Sequence, residues 1–234
     1  MTAGATRAAL VACLMLIGSN AVAATDPRNP TCPDQLNWST YRQMRFTLDQ
    51  SNGQRVLRAE GMIDEDMPAR LSEALQANDP IDEIWLRSPG GAARAGNEAG
   101  KIIRQTGIPT RIPAGWACFS ACNFMFMGGA VRYVDPAGHF VVHMFTHLGD
   151  KDAVRSELAK GHDNALGLIG EVEQDSALLA SEDNDFLIRM GVSRKLLTEV
   201  MYQQKAVAEG AEDQSTRRCL TAAETVKYNV ANAQ

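Results

Sequence analysis

The apolar positions of this chain fall into short runs whose spacing alternates between that of strands and that of helices. Met44 to Leu48 and Arg55 to Met62 read as two strands, and between them Ser51-Asn52-Gly53 carries the Asn-Gly pair that favours a tight hairpin. Met67, Leu71, Ala74 and Leu75 share one face of a helix over 67–77, with Asp66 as its candidate N-cap and Pro68 in its first turn. Ile84-Trp85-Leu86 is a short apolar run bounded by charged residues, the pattern of a strand covered on both faces. It leads into Ser88-Pro89-Gly90-Gly91. A helix over 92–106, a strand over 109–112 and further strands over 131–134 and 139–145 follow. The chain from 152 to 190 is mostly helix-forming, and 193–203 reads as one more helix.

Strands alternating with helices imply an α/β class with repeated right-handed βαβ crossovers and a largely parallel sheet. In such sheets ligands and catalytic groups gather at the carboxyl ends of the strands. Two stretches fall there. The paired glycines at 90–91 let backbone approach a substrate without side-chain obstruction, or simply make a strand-to-helix turn. The other stretch, AGWACFSACNFMFMGG from Ala114 to Gly129, reads as a strand end turning sharply into a short buried helix, with Ser120 at the turn. A serine there either caps the helix through its hydroxyl or is a nucleophile at an elbow, with the Ala121 amide and the helix dipole aimed at a developing oxyanion.

Composition narrows the setting. With 234 residues, 45% of them hydrophobic and 22% charged, the chain suits one globular domain. Arg7 before the apolar run Ala8 to Gly18, then Ala21-Val22-Ala23, predicts a signal peptide cleaved after Ala23 or Ala24. The predicted organisation is a signal peptide over 1–23, a loose leader over 24–42 and a domain over 43–234, in the periplasm. Loss of the signal peptide moves the net charge from −5 to −6, with 22 basic against 28 acidic side chains. An acidic chain without basic clustering excludes nucleic acid as an expected partner. Export also removes it from the cytosolic pools of ATP, NAD and CoA, so no cofactor is expected.

Cys32, Cys118, Cys122 and Cys219 remain after cleavage, and in an exported chain they predict two disulfides with three connectivities open. A local Cys118–Cys122 bridge would brace the turn at Ser120, if geometry permits. Gly91 and Gly96 have the separation of a phosphate loop, but Asn97 stands where lysine is required and Glu98 would repel a phosphate.

The order of SPGG at Ser88 to Gly91, CFSAC around Ser120, VHMF containing His143, and CLTAAETVKYNV from Cys219 to Val230 resembles the proteolytic subunit of Clp protease, within the Clp protease/crotonase superfamily. More closely, it is similar to the exported Clp-protease-like proteins of bacteria. The likeness covers roughly Arg55 to Val230. It implies a Clp protease/crotonase-like fold and a serine peptidase acting on peptide or protein substrates, with Ser120 as nucleophile, His143 as general base and the amides of Gly91 and Ala121 as oxyanion hole. The acid of the family's triad would fall at Arg217, or at Gln204 when counted forward from Gly191, and neither is an acid. Asp213, with Glu212 beside it, is the nearest replacement. The resemblance also implies homo-oligomerisation through the helical arm over 152–190, without the ATPase partner that cytosolic relatives use.

Two rival readings come from other classes. A protein that keeps the fold for binding or assembly and has lost the chemistry accounts for the missing acid. His139, His143 and His147 recur every four residues and would line one face of a helix as a zinc site. Phe140-Val141-Val142 favours a strand instead, along which His139 and His147 would stand about 26 Å apart, too far for one ion. No metal is expected.

Overall fold

In the computed structural model, which describes residues 25–26, 29–51, 53–148, 151–208 and 216–233, the alternating pattern becomes two sheets rather than one, beside a separate two-stranded sheet at the start. The signal-peptide expectation over 1–23 lies outside the described residues. Two short strands, β1 (Thr25–Asp26) and β2 (Asn29–Pro33), pair with each other at the start. The predicted hairpin is β3 (Arg45–Ser51) and β4 (Gln54–Glu60), antiparallel from Arg45 opposite Glu60 to Ser51 opposite Gln54.

Helix α1 (Met67–Asn78) buries Met67, Leu71 and Leu75, as the spacing required. Asp66 occupies the N-cap position in a helical conformation, φ −85° and ψ −3°, and does not cap through its side chain; its amide donates to Asp64 Oδ1 at 3.2 Å. Strand β5 (Glu83–Arg87), helix α2 (Ala93–Thr106) and strand β6 (Thr110–Ile112) follow. Gly107, at φ 71°, closes α2 in the left-handed conformation that favours glycine at a helix end. Next come β7 (Ala117–Phe119), the short helix α3 (Cys122–Gly128), β8 (Arg132–Val134) and β9 (His139–His143).

The larger sheet has the order β3-β4-β5-β6-β8, parallel from β4 onward. The predicted parallel crossovers therefore describe this sheet. Buried Glu83 on β5 is held by Arg111 of β6 through two bonds of 2.7 and 2.8 Å, and Arg111 also reaches Asp135 at 2.6 Å. Strands β7 and β9 leave that sheet to form a second one, parallel to each other. A bridge between Ser88 and Cys118 joins the two sheets at the end of β5.

The helical stretch over 152–190 is two helices, α4 (Lys151–Leu158) and α5 (His162–Met190), broken at Gly161. The helix predicted over 193–203 is a π-helical turn (Leu196–Val200) followed by a 3-10 turn (Met201–Gln203). Pattern reading did not anticipate β10 (Arg217–Cys219), which adds antiparallel to β9. The final helix, α6 (Ala222–Lys227), was not anticipated either, although Thr221 and Glu224 form a capping box at its start.

The core runs from α1 and the larger sheet through α2 and α3 to the last turns of α5. Helices α2 and α3 touch backbone to backbone. A Cβ on Gly96 would collide with Ala121, and one on Gly128 with the backbone of Gly100. Gly96 is thus a packing residue in a helix contact, which accounts for its spacing without a phosphate.

The stretch read as a loose leader is tied down. Cys32 is buried and disulfide-bonded to Cys219 on β10, and the Asn37 carbonyl accepts from the Ala117 amide at 3.0 Å. Trp38 stacks on Phe119 with ring centroids 5.6 Å apart.

Candidate active site

Strands β7 and β9 run side by side in parallel, with Phe119 opposite Val141, so the residues that follow each pair emerge at the same edge. On β7 the next residue is Ser120, and on β9 the strand continues to His143. Two bonds converge on the Val141 carbonyl. The Ser120 amide donates to it at 3.4 Å, and the buried side chain of Asn123, on the first turn of α3, donates at 2.7 Å. Asn123 thereby locks the start of α3 to β9 and fixes where Ser120 stands relative to His143.

Ser120 adopts φ 57°, a left-handed conformation that is uncommon outside glycine and is found where surrounding structure enforces it. Here the disulfide between Cys118 and Cys122 spans the turn. Of the two capping alternatives, the N-cap falls on Ala121 and no side chain caps the helix. The Ser120 hydroxyl instead lies 2.6 Å from His143 Nε2.

The Ser88-Pro89-Gly90-Gly91 stretch packs directly against this turn. A Cβ on Gly90 would come within 2.6 Å of the Phe119 carbonyl oxygen and 2.7 Å of Ser120 Cβ, and Gly90 has φ 86°, so glycine is required on both counts. The buried Ser88 hydroxyl accepts from the Gly90 amide at 3.0 Å. Ile63 donates to the Gly90 carbonyl at 2.9 Å and accepts from the Ala92 amide at 2.8 Å, clamping Gly91 between them. Among the described residues, the amides of Gly91 and Ala121 donate to no acceptor.

Burial pushes the His143 imidazole below its ordinary value, while a contact with the Met144 backbone works the other way. The ring leans on Phe119, centroid to centroid 4.7 Å. No carboxylate pairs with His143 among the described residues. Across β10, the residue in register with His143 is Arg217, whose guanidinium carbon sits 5.7 Å above the Trp38 ring. Gln204 bonds the Val200 carbonyl at 2.9 Å. Asp213 and Glu212 lie outside the described residues.

The three histidines of the metal alternative part company. His139 and His143 stand at the two ends of β9, and His147 lies beyond the strand, 3.4 Å from Asp175 of α5. No cluster of three metal-ligating side chains occurs among the described residues.

Two cavities lie at the end of β9. One, of about 220 Å³, is lined by Phe119, His143, Thr146, Lys151, Lys205 and Thr216. The other, of about 270 Å³, lies between Met144 and Phe145, just past β9, and the Ser176 to Asp183 face of α5, with Tyr202 closing it. Neither Asp183 nor Tyr202 was singled out by pattern, because a lone acid within a helix full of acids carries no signal.

No protein-family model matches the chain, and no curated protein does. Solved structures do. A mutant of ClpP1 from Listeria monocytogenes superposes with a TM-score of 0.51 at 16% identity, over 76% of this chain and 88% of that one. The fold is Clp-protease-like. A mutant of the 1510-N membrane-bound stomatin-specific protease is a more distant match, with a TM-score of 0.46 at 14% identity over 76% of this chain and 75% of that one. The second sheet shapes the site. It carries β7 and β9 out of the main layer and sets the turn at Ser120 against the glycines that end β5.

Proposed function

We propose that this chain is an exported serine peptidase in which Ser120 is the nucleophile and His143 the general base. The observation that carries the reading is the 2.6 Å contact between Ser120 Oγ and His143 Nε2 at a turn of positive φ. A hydroxyl becomes nucleophilic when an adjacent base takes its proton, and an imidazole held low by burial is in its base form at neutral pH. Ser120 Oγ attacks the peptide carbonyl as its proton passes to His143 Nε2. The oxyanion forms beside the Gly91 and Ala121 amides. The imidazolium then protonates the leaving amine, and water repeats the sequence to release the acyl group.

Asp213 is the sequence's candidate for the third member of a triad. Without an acid, the Met144 backbone contact is what orients the imidazole, and turnover would be slower than that of a full triad. Export is supported by Arg7, the apolar run over 8–18 and Ala21-Val22-Ala23, together with the pairing of all four downstream cysteines. The expected partners are peptide or protein substrates and other copies of the chain, with no ATPase, no nucleic acid and no cofactor.

The test is labelling of the purified mature protein by a fluorophosphonate probe. Labelling of wild type, reduced by about 1,000-fold or more in Ser120→Ala and in His143→Ala, supports the reading. No labelling of folded, oxidised wild type sinks it. One observation favours the second reading, an inactive binding or assembly protein: Arg217 occupies the register position opposite His143.

A further inference from the structure

Of the two cavities at the end of β9, the one against α5 holds a carboxylate without a partner among the described residues. Asp183 is 8% exposed and lines this cavity, and among the described residues no cation or hydrogen-bond donor pairs with it. Its acidic neighbours on α5 are engaged. Arg94, three residues beyond Gly91, reaches Asp175 at 2.5 Å and Glu182 at 3.4 Å, and His147 reaches Asp175. The Tyr202 hydroxyl is also buried without a hydrogen bond. A buried hydroxyl left unsatisfied beside a carboxylate costs free energy unless something polar enters.

The cavity's place is fixed from two sides. Met144 and Phe145 follow His143 directly, and Arg94 pins the same stretch of α5 to the start of α2, next to Gly91. It therefore begins one residue past the base and runs against α5. Met144, Phe145, Leu179 and Ala180 give it apolar walls, and Asp183 and Tyr202 are its polar groups.

We propose that this cavity is a specificity subsite for a cationic side chain, lysine or arginine, of a peptide substrate. It rests on the peptidase reading above. The apolar walls pack against the aliphatic stem, which is how long cationic side chains bury their length while the charged head finds a partner. The head meets the Asp183 carboxylate in a charge-assisted hydrogen bond. About 270 Å³ is ample for either side chain. The other cavity carries Lys151 and Lys205 in its lining and so discourages a cation. Burial, and after it the charge of Glu182, pushes the Asp183 carboxyl up to about 7, so the empty subsite holds its charge at a disadvantage that an incoming cation relieves.

The test uses coumarin-amide peptides that differ only in the residue before the scissile bond: Arg, Lys, Met or Glu. Wild type should favour Arg and Lys over Met by tenfold or more in kcat/KM, and Asp183→Asn should collapse that ratio. Tyr202→Phe should lower it by a smaller factor. Equal or better turnover of the Met peptide by wild type overturns the proposal, as does a ratio that survives in Asp183→Asn. If no peptide is cleaved, the peptidase reading fails, and binding of fluorescein-labelled Arg and Met peptides to the Ser120→Ala protein decides the subsite alone. Arg-selective binding that Asp183→Asn removes supports the subsite; equal or absent binding overturns it. Melting curves of Asp183→Asn at pH 8 separate lost selectivity from lost folding.

Discussion

Helix α3 and the first half of α5 show two opposite ways for a helix to exist in this protein. All seven residues of α3 are buried, and the helix begins two residues after Ser120. Of the 29 residues of α5, the buried ones are Leu179, Asp183, Phe186, Leu187 and Met190, all in its C-terminal half. Leu166 and Ile169, in the first half, are 68% and 52% exposed. A seven-residue helix is too short to be stable alone, so α3 exists because its surroundings hold it; α5 has the length to persist with one end uncovered. The difference teaches where precision resides. The serine turn is placed by packing from every side, while the arm is placed at its base, where Phe186 meets Phe124 edge to face with centroids 5.1 Å apart.

The contrast can be broken most strongly at that base. Phe186→Ala should destabilise by about 3–5 kcal/mol in chemical denaturation. Leu166→Ala, on the open half of the same helix, should stay within about 0.5 kcal/mol.

Asp183 sharpens the contrast through pH. Its carboxyl stands at about 7 when folded and at 3.8 in an ordinary setting, so between those values the folded state keeps a proton that the unfolded state loses. Stability is therefore fully present below pH 3.8 and is lost as pH rises through 7. Above that, the ionised carboxylate opposes folding by on the order of 4 kcal/mol. Asp183→Asn should then be the more stable protein at pH 8, with the advantage shrinking toward zero near pH 4 when melting is followed across the range.

Glycines give a smaller and directional effect. Gly128→Ala would drive a methyl group into the Gly100 backbone and should cost about 1–3 kcal/mol by overpacking. Gly170→Ala meets nothing within 4 Å in α5 and should stabilise by about 0.5–1 kcal/mol through helix propensity. Opposite signs for one substitution in two helices, read from urea midpoints, would confirm the contrast; equal signs would erase it.

Much of the fold was legible because its elements carry local signals. The hairpin of β3 and β4, the face of α1 and the apolar β5 each declare themselves within about a dozen residues. Strand β10 did not, because Arg217-Arg218-Cys219 is a strand only by pairing with β9. The leader looked loose for a similar reason: its anchors, Cys219 and Phe119, are distant in the chain. At the site, Ser120, His143, Gly91 and Ala121 were named from the residues and the resemblance. That Asn123 ties α3 to β9, and that Asp183 faces a cavity at the end of β9, had no local signature.

By itself the sequence determined the alternation of strands and helices, the glycine-rich end of β5 and a sharp turn at Ser120. These follow from periodicity and from the few residue types that tolerate sharp turns. Only the tertiary structure decided that the strands divide into two sheets, which cysteines pair, that the serine hydroxyl turns to histidine rather than capping its helix, and that Arg217 lies opposite that histidine. Each depends on groups far apart in the chain, whose meeting is set by the packing of whole elements, and local spacing carries no record of such meetings.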